Sequence, residues 1–406
     1  MKRYIAVIAA SALALVLLLI LPQTQKIDIK PVYDPPKTED ITSEKEDITA
    51  ISGKYLGLED QENITLDDIK DETKAIYLFL SEGKKKAYKI KCDDALSIQN
   101  ELIIGKEYTL SLIGDTIVSL KRDIPILPDI LVPEFGERTV INLIKTAFAP
   151  MGKTLYIYGG GWNLQDDGAG VAAMTLGLSA DWKNFYLSQN ADYDLEKYMP
   201  QNGLNHHNRE GLDCSGYMGW VLYNALYCEE NKDVGYVVPS KKFAQALEEY
   251  CLGTCQSFDG THKAADFVKA LRPGDIVSIN GHVYIVLDVC DDQSVIVIHS
   301  TASDSVSGAY GGGVQISAIN TKTNLSKKCK AYDICRDFCD KYFEDFVSRY
   351  PVTMKDTNTY FGIGKDKGAF VFHWELDKTG LRDDENVSQM SAEMLFERLE
   401  KIINEP

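Results

Sequence analysis

Residues 211–223 read GLDCSGYMGWVLY, and Met218, Val221, Leu222, Ala225 and Leu226 carry on from the cysteine at helical spacing. Apolar side chains three and four residues apart make one buried face, so an amphipathic helix is predicted to begin beside Cys214. Asp213 suits its N-cap, because a short carboxylate accepts from the free N–H groups of a first turn. Cys214 then stands at the positive end of the helix macrodipole, where a thiolate is stabilised and its pKa is expected to fall. Ser215 and Gly216 are small enough to leave room for a substrate carbonyl. The stretch predicts a cysteine nucleophile whose base must come from elsewhere. A cysteine ahead of a helix is more often a small core residue, so the reading depends on finding that base.

A hairpin supplies it. Leu271–Asp275 (LRPGD) makes a turn into IVSI, and Gly281-His282 opens the strand VYIVLDV. After the turn at Asp291–Ser294, a second strand, VIVIHS, carries His299. With that turn centred near Asp291, His299 falls opposite Tyr284, and alternation puts His282 and Tyr284 on one face. The two histidines become diagonal neighbours about 7–8 Å apart at most, and closer with a bulge. Cysteine hydrolysis needs a thiolate, a base, a group that orients the base, and an oxyanion donor. Cys214, His282 and His299 match the first three, and the Cys214 backbone N–H can serve as the fourth. His299 accepting from His282 fixes the tautomer of the base.

Around these pieces lies a mixed pattern. Glu137 to Ala149 is predicted helical and runs into TLYIYGGGWN, a short strand ending in three glycines. Without a G-x-G-x-x-G or a following Lys-Ser, the triplet predicts close approach of backbone rather than nucleotide binding. Asn163 to Glu210 is long, polar and aromatic; His206 and His207 near its end, and His262 further on, are expected in exposed loops. Helices are expected over Lys241–Cys251, Ser326–Tyr350 and Ser391–Ile403. GAFVFHWEL reads as a strand whose His373 packs among aromatics.

The chain has 406 residues and a formal net charge of -17. Its length allows about two to three domains, and its ordinary apolar content excludes wholesale disorder. Such an acidic balance argues against a nucleic-acid partner. Lys2 and Arg3 precede an apolar run from Ile5 to Leu21, which reads as an export signal. The run just reaches membrane-spanning length and no small-x-small site follows. Residues 1–25 are therefore expected to be an uncleaved signal-anchor, a transmembrane helix in the cytoplasmic membrane, with a cleaved signal peptide as the alternative. The body is expected outside the cytoplasm. Residues 26–50 read as a solvated stalk. Residues 51–123 read as a small β-barrel, SH3-like or similar, and the three prolines of 124–136 as a linker. Residues 137–406 form the remaining domain, with an insertion at 163–210 and a C-terminal extension. Nine cysteines leave one over. If Cys214 is free, the other eight could pair, with connectivity open. The spacings of Cys251, Cys255, Cys329, Cys335 and Cys339 fit no structural zinc pattern, so buried thiols or disulfides are expected, and no metal or cofactor.

In combination, YIYGGGW, DCSGY, LRPGDIV, GHVYIVLDV and VIVIHS followed by GGGVQIS resemble the NlpC-type family of bacterial cell-wall cysteine peptidases, a papain-like group. The likeness covers roughly Thr139 to Ser317. It implies an α+β fold in which the nucleophile-bearing helix packs on an antiparallel sheet, preceded here by the all-β module. It implies Cys214 as nucleophile, His282 as base and His299 as the orienting third member. Tyr158 would be the family's tyrosine beside the nucleophile, and Asp213 and Ser215 would shape the recognition site. The implied partner is peptidoglycan or its muropeptides, cut in the stem peptide, commonly between γ-D-glutamyl and a diamino acid. The protein would then face the cell wall. An N-acetylmuramoyl-L-alanine amidase, an acyl- or transpeptidase on the same fold, and a non-catalytic wall-binding scaffold are the alternatives. The chain departs from the family in the 163–210 insertion and in a long interval between His282 and His299. The insertion is expected to border the cleft or act as a lid.

Overall fold

Alternation of buried and exposed residues builds the first of two sheets. The structure, a computed structural model, describes residues 49–59, 75–81, 84–90, 107–122, 130–162, 171–199 and 207–404. Strands β1 (Thr49–Leu58), β2 (Tyr77–Ser81), β3 (Lys84–Ile90), β4 (Glu107–Ile113) and β5 (Thr116–Arg122) close a barrel in the order β1-β2-β3-β5-β4. Its pairs are antiparallel except β3 with β5, which run parallel. That order is the five-stranded Greek-key arrangement of OB-type barrels rather than the SH3-like one expected. Phe79 sits at the centre of its core, with ring centroids 5.1 Å from Tyr55, 5.8 Å from Tyr88 and 6.4 Å from Tyr108.

The second sheet belongs to the described residues between 130 and 404. Helix α1 (Val140–Phe148) is capped by Thr139, whose side chain accepts from the Asn142 N–H at 3.2 Å. The described end of the expected linker is tied to it: Glu134 N–H donates to Asn142 Oδ1, and Asn142 Nδ2 donates back to the Glu134 carbonyl. Helix α2 (Ala180–Ser188) follows, then α3 (Cys214–Leu226), all of whose residues are buried. A helix apolar all round is a core helix, and α3 is one rather than the amphipathic helix its spacing predicts. After α4 (Phe243–Glu249) come the edge strand β6 (Gly253–Asp259) and α5 (Ala264–Ala270), with His262 in the loop between them.

Strands β7 (Ile276–Ile279), β8 (His282–Val289), β9 (Val295–Asp304) and β10 (Tyr310–Ile319) form an antiparallel meander. Helices α6 (Lys330–Tyr342) and α7 (Glu344–Val347) lead to β11 (Thr353–Met354), α8 (Thr357–Tyr360), β12 (Gly368–Trp374) and α9 (Ala392–Asn404). The strand order is β11-β10-β9-β8-β7-β12-β6, with β11 parallel to β10. The architecture is therefore α+β, as expected. One face of the sheet, through Val283, Ile285, Ile298, Val314 and Ile316, packs on α3 and α1. The other, through Tyr284, Val286 and Val297, packs beneath Phe267 of α5 and Tyr360 of α8.

Two expectations change here. Among the described residues no helix is long and apolar enough to cross a membrane. The transmembrane helix is therefore withdrawn: residues 5–21, on which it was read, lie outside the described part, and nothing within that part replaces them. Most of the expected stalk, up to residue 48, also lies outside. The reading of the insertion narrows as well: its described parts are 171–199 and 207–210, and the first of them is packed into the fold, on α3 and beside Tyr156. Trp182 packs edge-on against Trp220 of α3 at 5.9 Å, Gly177 N–H donates to Asn224 Oδ1 at 2.7 Å, and Tyr193 O–H donates to the Tyr156 carbonyl at 2.7 Å.

The start of α3 is held by backbone touching backbone. A Cβ on Gly216 would lie 2.0 Å from the Gly160 carbonyl oxygen, and one on Gly161 would lie 2.7 Å from the Gly216 Cα. The glycine triplet thus seats the helix terminus directly. Gly216→Ala is expected to lower unfolding stability by on the order of 1–3 kcal/mol in denaturant titration; no loss would contradict the close approach.

Candidate active site

The site is assembled where the N-terminus of α3 meets the first residue of β8. Gly281, with φ at +82°, completes the two-residue turn from Ile279 that delivers His282 to the strand's start. The Cys214 sulfur lies 4.0 Å from the Gly281 carbonyl oxygen, and the Val283 N–H donates to it. The thiol therefore lies against the backbone on both sides of His282. Val283 faces α3 while His282 belongs to the opposite face of the sheet. A thiol and an imidazole on opposite faces can meet only round the end of a strand, and His282 is that end.

His282 is oriented as the hairpin register predicts. Ile285 pairs with Ile298, which brings Tyr284 opposite His299, and a bulge follows between Val286 and Asp288. The His282 Nε2 to His299 Nδ1 distance is 2.7 Å, with the rings edge to face. His299 Nε2 lies 3.1 Å from Ser317 Oγ, which lies 3.0 Å from Thr353 Oγ1. Either direction of donation satisfies these distances, and the one that suits a base is the following. His282 donates through Nε2–H, and His299 accepts at Nδ1 and donates through Nε2–H to Ser317. That leaves the lone pair of His282 on Nδ1, the nitrogen suited to take a thiol proton. Tyr360 closes the pair from above, its hydroxyl 3.3 Å from His299 Nδ1 and its ring centroid 5.4 Å from that of His282.

Asp213 caps α3 as predicted, accepting from Gly216 N–H at 2.7 Å and from Ser215 Oγ at 2.9 Å. Ser215 Oγ in turn accepts from Trp162 Nε1–H at 3.1 Å. Burial outweighs these donors and pushes the Asp213 carboxyl up to about 6.

The predicted fall in the thiol pKa does not occur. Cys214 is 7% exposed, and burial, then the charge of Asp213, pushes its pKa up. Three backbone N–H groups, of Val283, Ser215 and Cys214 itself, bear on the sulfur in the other direction and are outweighed. Burial likewise holds His282 down to about 3, with the nearby Lys355 charge acting the same way, and holds His299 well below the usual imidazole range. The resting pair is a neutral thiol and a neutral imidazole.

Of the residues singled out in the sequence, His282 meets His299, and Asp213 and Ser215 gather with Cys214 at the start of α3, where the thiol lies against the backbone of residues 281 and 283. Tyr158 is 41% exposed, and the place beside the nucleophile passes to the half-buried Tyr156. Burial pushes the Tyr156 phenol well up, and the charges of Cys214 and Asp213 add to the effect. Alternation gives Tyr156 and Tyr158 the same face, so spacing alone could not choose between them. Ser317, Thr353 and Tyr360 carried no sequence signal either, arriving from β10 and the C-terminal extension.

Elsewhere, His207 pairs with Glu210, His262 contacts the Asp259 carbonyl, and His373 contacts Asp275 at 2.9 Å; His206 lies outside the described residues. All described cysteines are free thiols, so the disulfides considered among them do not form. Among the described residues no group of three or more His, Cys, Asp or Glu side chains is arranged to hold a metal. No protein-family model, no curated protein and no solved structure matches the chain.

Asp213 makes a prediction of definite sign. Its folded pKa of about 6 exceeds the ordinary 3.8, so its contribution to stability is fullest below pH 3.8 and is lost as pH rises through about 6. Holding the charge at pH 7 costs roughly 2–3 kcal/mol. Asp213→Asn keeps a capping oxygen and removes that charge. The melting temperature should rise at pH 7.5 and change little at pH 4. The Cys214 pKa, read from the pH dependence of alkylation, should fall; a rise would contradict the coupling.

Proposed function

We propose that the protein is a cysteine peptidase of the NlpC type that hydrolyses peptidoglycan stem peptides through an acyl-thioenzyme. The observation that carries the reading is the 2.7 Å bond between His282 and His299, with the thiol set against the residues on either side of His282. In the reaction His282 Nδ1 takes the thiol proton as the sulfur attacks the scissile carbonyl. The imidazolium then gives that proton to the departing amine. Water, deprotonated by the same ring, releases the acyl group and restores the thiol. The bond to His299 keeps the ring in the tautomer this needs and stabilises the positive charge as it forms.

A neutral resting pair suits this sequence of events. An isolated thiolate is costly in a buried site, but thiolate and imidazolium formed together leave the site's net charge unchanged. The N–H groups around the sulfur, at the start of a 13-residue helix, then act on the charge that develops. Tyr156 stands where a phenol could donate to the oxyanion or to the substrate. The peptidoglycan target and the γ-D-glutamyl–diamino acid bond follow from the sequence resemblance, and the export signal read at Lys2–Leu21 accords with a wall substrate.

The raised thiol pKa favours a second reading, a wall-binding scaffold that keeps the fold without catalysis. Against it stands the relay from His282 through His299 to Ser317, which a scaffold has no use for.

Purified muropeptides separate the two. Cys214→Ala and His282→Ala should each lower cleavage by about 10³-fold or more while melting within a few degrees of the parent. Product masses identify the bond and distinguish endopeptidase from amidase or transpeptidase. Cleavage retained in both variants would exclude the peptidase.

A further inference from the structure

The hydrogen-bond chain that begins at His282 does not stop at Thr353. β10 pairs Gln315 with His299 of β9, and β11 pairs Thr353 with Ser317, so these four side chains share one face of the sheet. Gln315 is 2% exposed. Its amide nitrogen lies 3.1 Å from the Thr301 carbonyl oxygen, 3.5 Å from that of Gly313 and 3.2 Å from Ser303 Oγ. Its amide oxygen faces Thr353 Oγ1 at 3.4 Å, and among the described residues no other hydrogen bond reaches that oxygen.

Hydroxyls and imidazoles can each donate or accept, so a chain made only of them runs in either direction. An amide is different, because one end only donates and the other only accepts. A carbonyl oxygen carries no hydrogen, so the end of Gln315 that faces Thr301 and Gly313 is the nitrogen. The oxygen is thereby turned to Thr353 and needs a donor, and a buried amide oxygen left without one is costly. Thr353 O–H is that donor. A hydroxyl has a single hydrogen, so the 3.0 Å contact between Thr353 Oγ1 and Ser317 Oγ is made by Ser317 donating. With that hydrogen spent, the 3.1 Å contact between Ser317 Oγ and His299 Nε2 is made by His299 donating. Burial keeps both imidazoles neutral, with one N–H each. His299 therefore accepts at Nδ1 from His282 Nε2–H across 2.7 Å, and the Nδ1 of His282 is left bare.

We propose that Gln315 is a positioning residue of this site, its fixed amide setting the direction of donation along Thr353, Ser317, His299 and His282 so that Nδ1 of His282 is the proton acceptor. The inference rests on the peptidase reading for its use, and it names what decides the tautomer of the base. In the opposite direction Thr353 would donate to Ser317 and Ser317 to His299. The lone pair of His282 would then be spent on His299 instead of being open to the thiol. Gln315 prevents this without touching a reacting atom.

Proton–nitrogen correlation spectra of the protein labelled with nitrogen-15 histidine report which ring nitrogen carries the hydrogen, with no substrate present. In the parent, both His282 and His299 should carry it on Nε2. Thr353→Val removes the hydroxyl that links Gln315 to Ser317, so Ser317 turns to donate to His299 and both rings should move to the Nδ1–H form. Thr353→Ser should keep the parent pattern, and Gln315→Met should populate both forms. In muropeptide cleavage, Thr353→Val and Gln315→Met should lower kcat by about tenfold or more, while Thr353→Ser retains most of the rate. Thr353 is half-buried on a two-residue edge strand, so its variants serve even where the buried Gln315 tolerates no replacement. A parent whose His299 carries its hydrogen on Nδ1, or a Thr353→Val variant that keeps the parent tautomers, overturns the proposal. Because the spectra need no turnover, the expected pattern in a protein that cleaves no muropeptide keeps the proposal and rejects the peptidase. Cleavage with the opposite pattern does the reverse.

Discussion

A neutral imidazole accepts a proton on one nitrogen only if its other nitrogen keeps its own, and the 2.7 Å contact with His299 engages the Nε2 of His282, leaving Nδ1 as the other. With Nε2–H committed to His299, the lone pair of His282 is on Nδ1. His299 can play this part because it is fully buried and its far nitrogen meets Ser317 Oγ at 3.1 Å. The second histidine is thus locked by a hydroxyl, which is locked by Thr353. Each member of the chain restricts the rotation of the one before it, so the His282 ring is held in one orientation.

The other half of the site is costly to keep. Asp213 is held charged where burial favours its neutral form, and Cys214 is held where burial disfavours its thiolate. Glycines at 160, 161 and 216 let backbone approach backbone so that the helix terminus can sit at the end of β8 at all. A sequence selected for stability alone would fill this corner with apolar side chains. What holds it open is the packing around it. Helix α3 is buried along its whole length, Tyr217 O–H donates to the Ala147 carbonyl at 2.8 Å, and Trp220 packs on Trp182. The 171–199 segment belongs to that support: beside the Trp182 contact with Trp220, Tyr193 lies against Tyr156 and Gly311 of β10.

Much of this was legible because it is local. Helix α3 with its Asp213 cap, the hairpin carrying His282 and His299, and the short glycine run each follow from a few consecutive residues and one periodicity. The features that escaped come from far along the chain or depend on burial. Tyr156 and Tyr158 are spaced alike, but Leu155 alone is bridged, to Gly211 and Gly313, and Tyr158 already stands in the turn that follows. Ser317, Thr353 and Tyr360 are ordinary polar residues until β11 lies beside β10. The thiol pKa was misjudged because a helix terminus can be read from sequence, whereas the desolvation that outweighs it cannot. In the barrel, strands could be read from alternation, but the parallel β3–β5 pair that sets its connectivity is a long-range choice.

The central claim is that a neutral His282 activates the Cys214 thiol toward an acyl donor. Acid-quenched mixtures of the protein with a purified muropeptide, analysed by intact-protein mass spectrometry, measure it directly. The account predicts an acyl adduct on Cys214 that forms within a turnover in the parent protein and at least about 100-fold more slowly in His282→Ala. An adduct forming at the same rate in both, or on another residue, would contradict it.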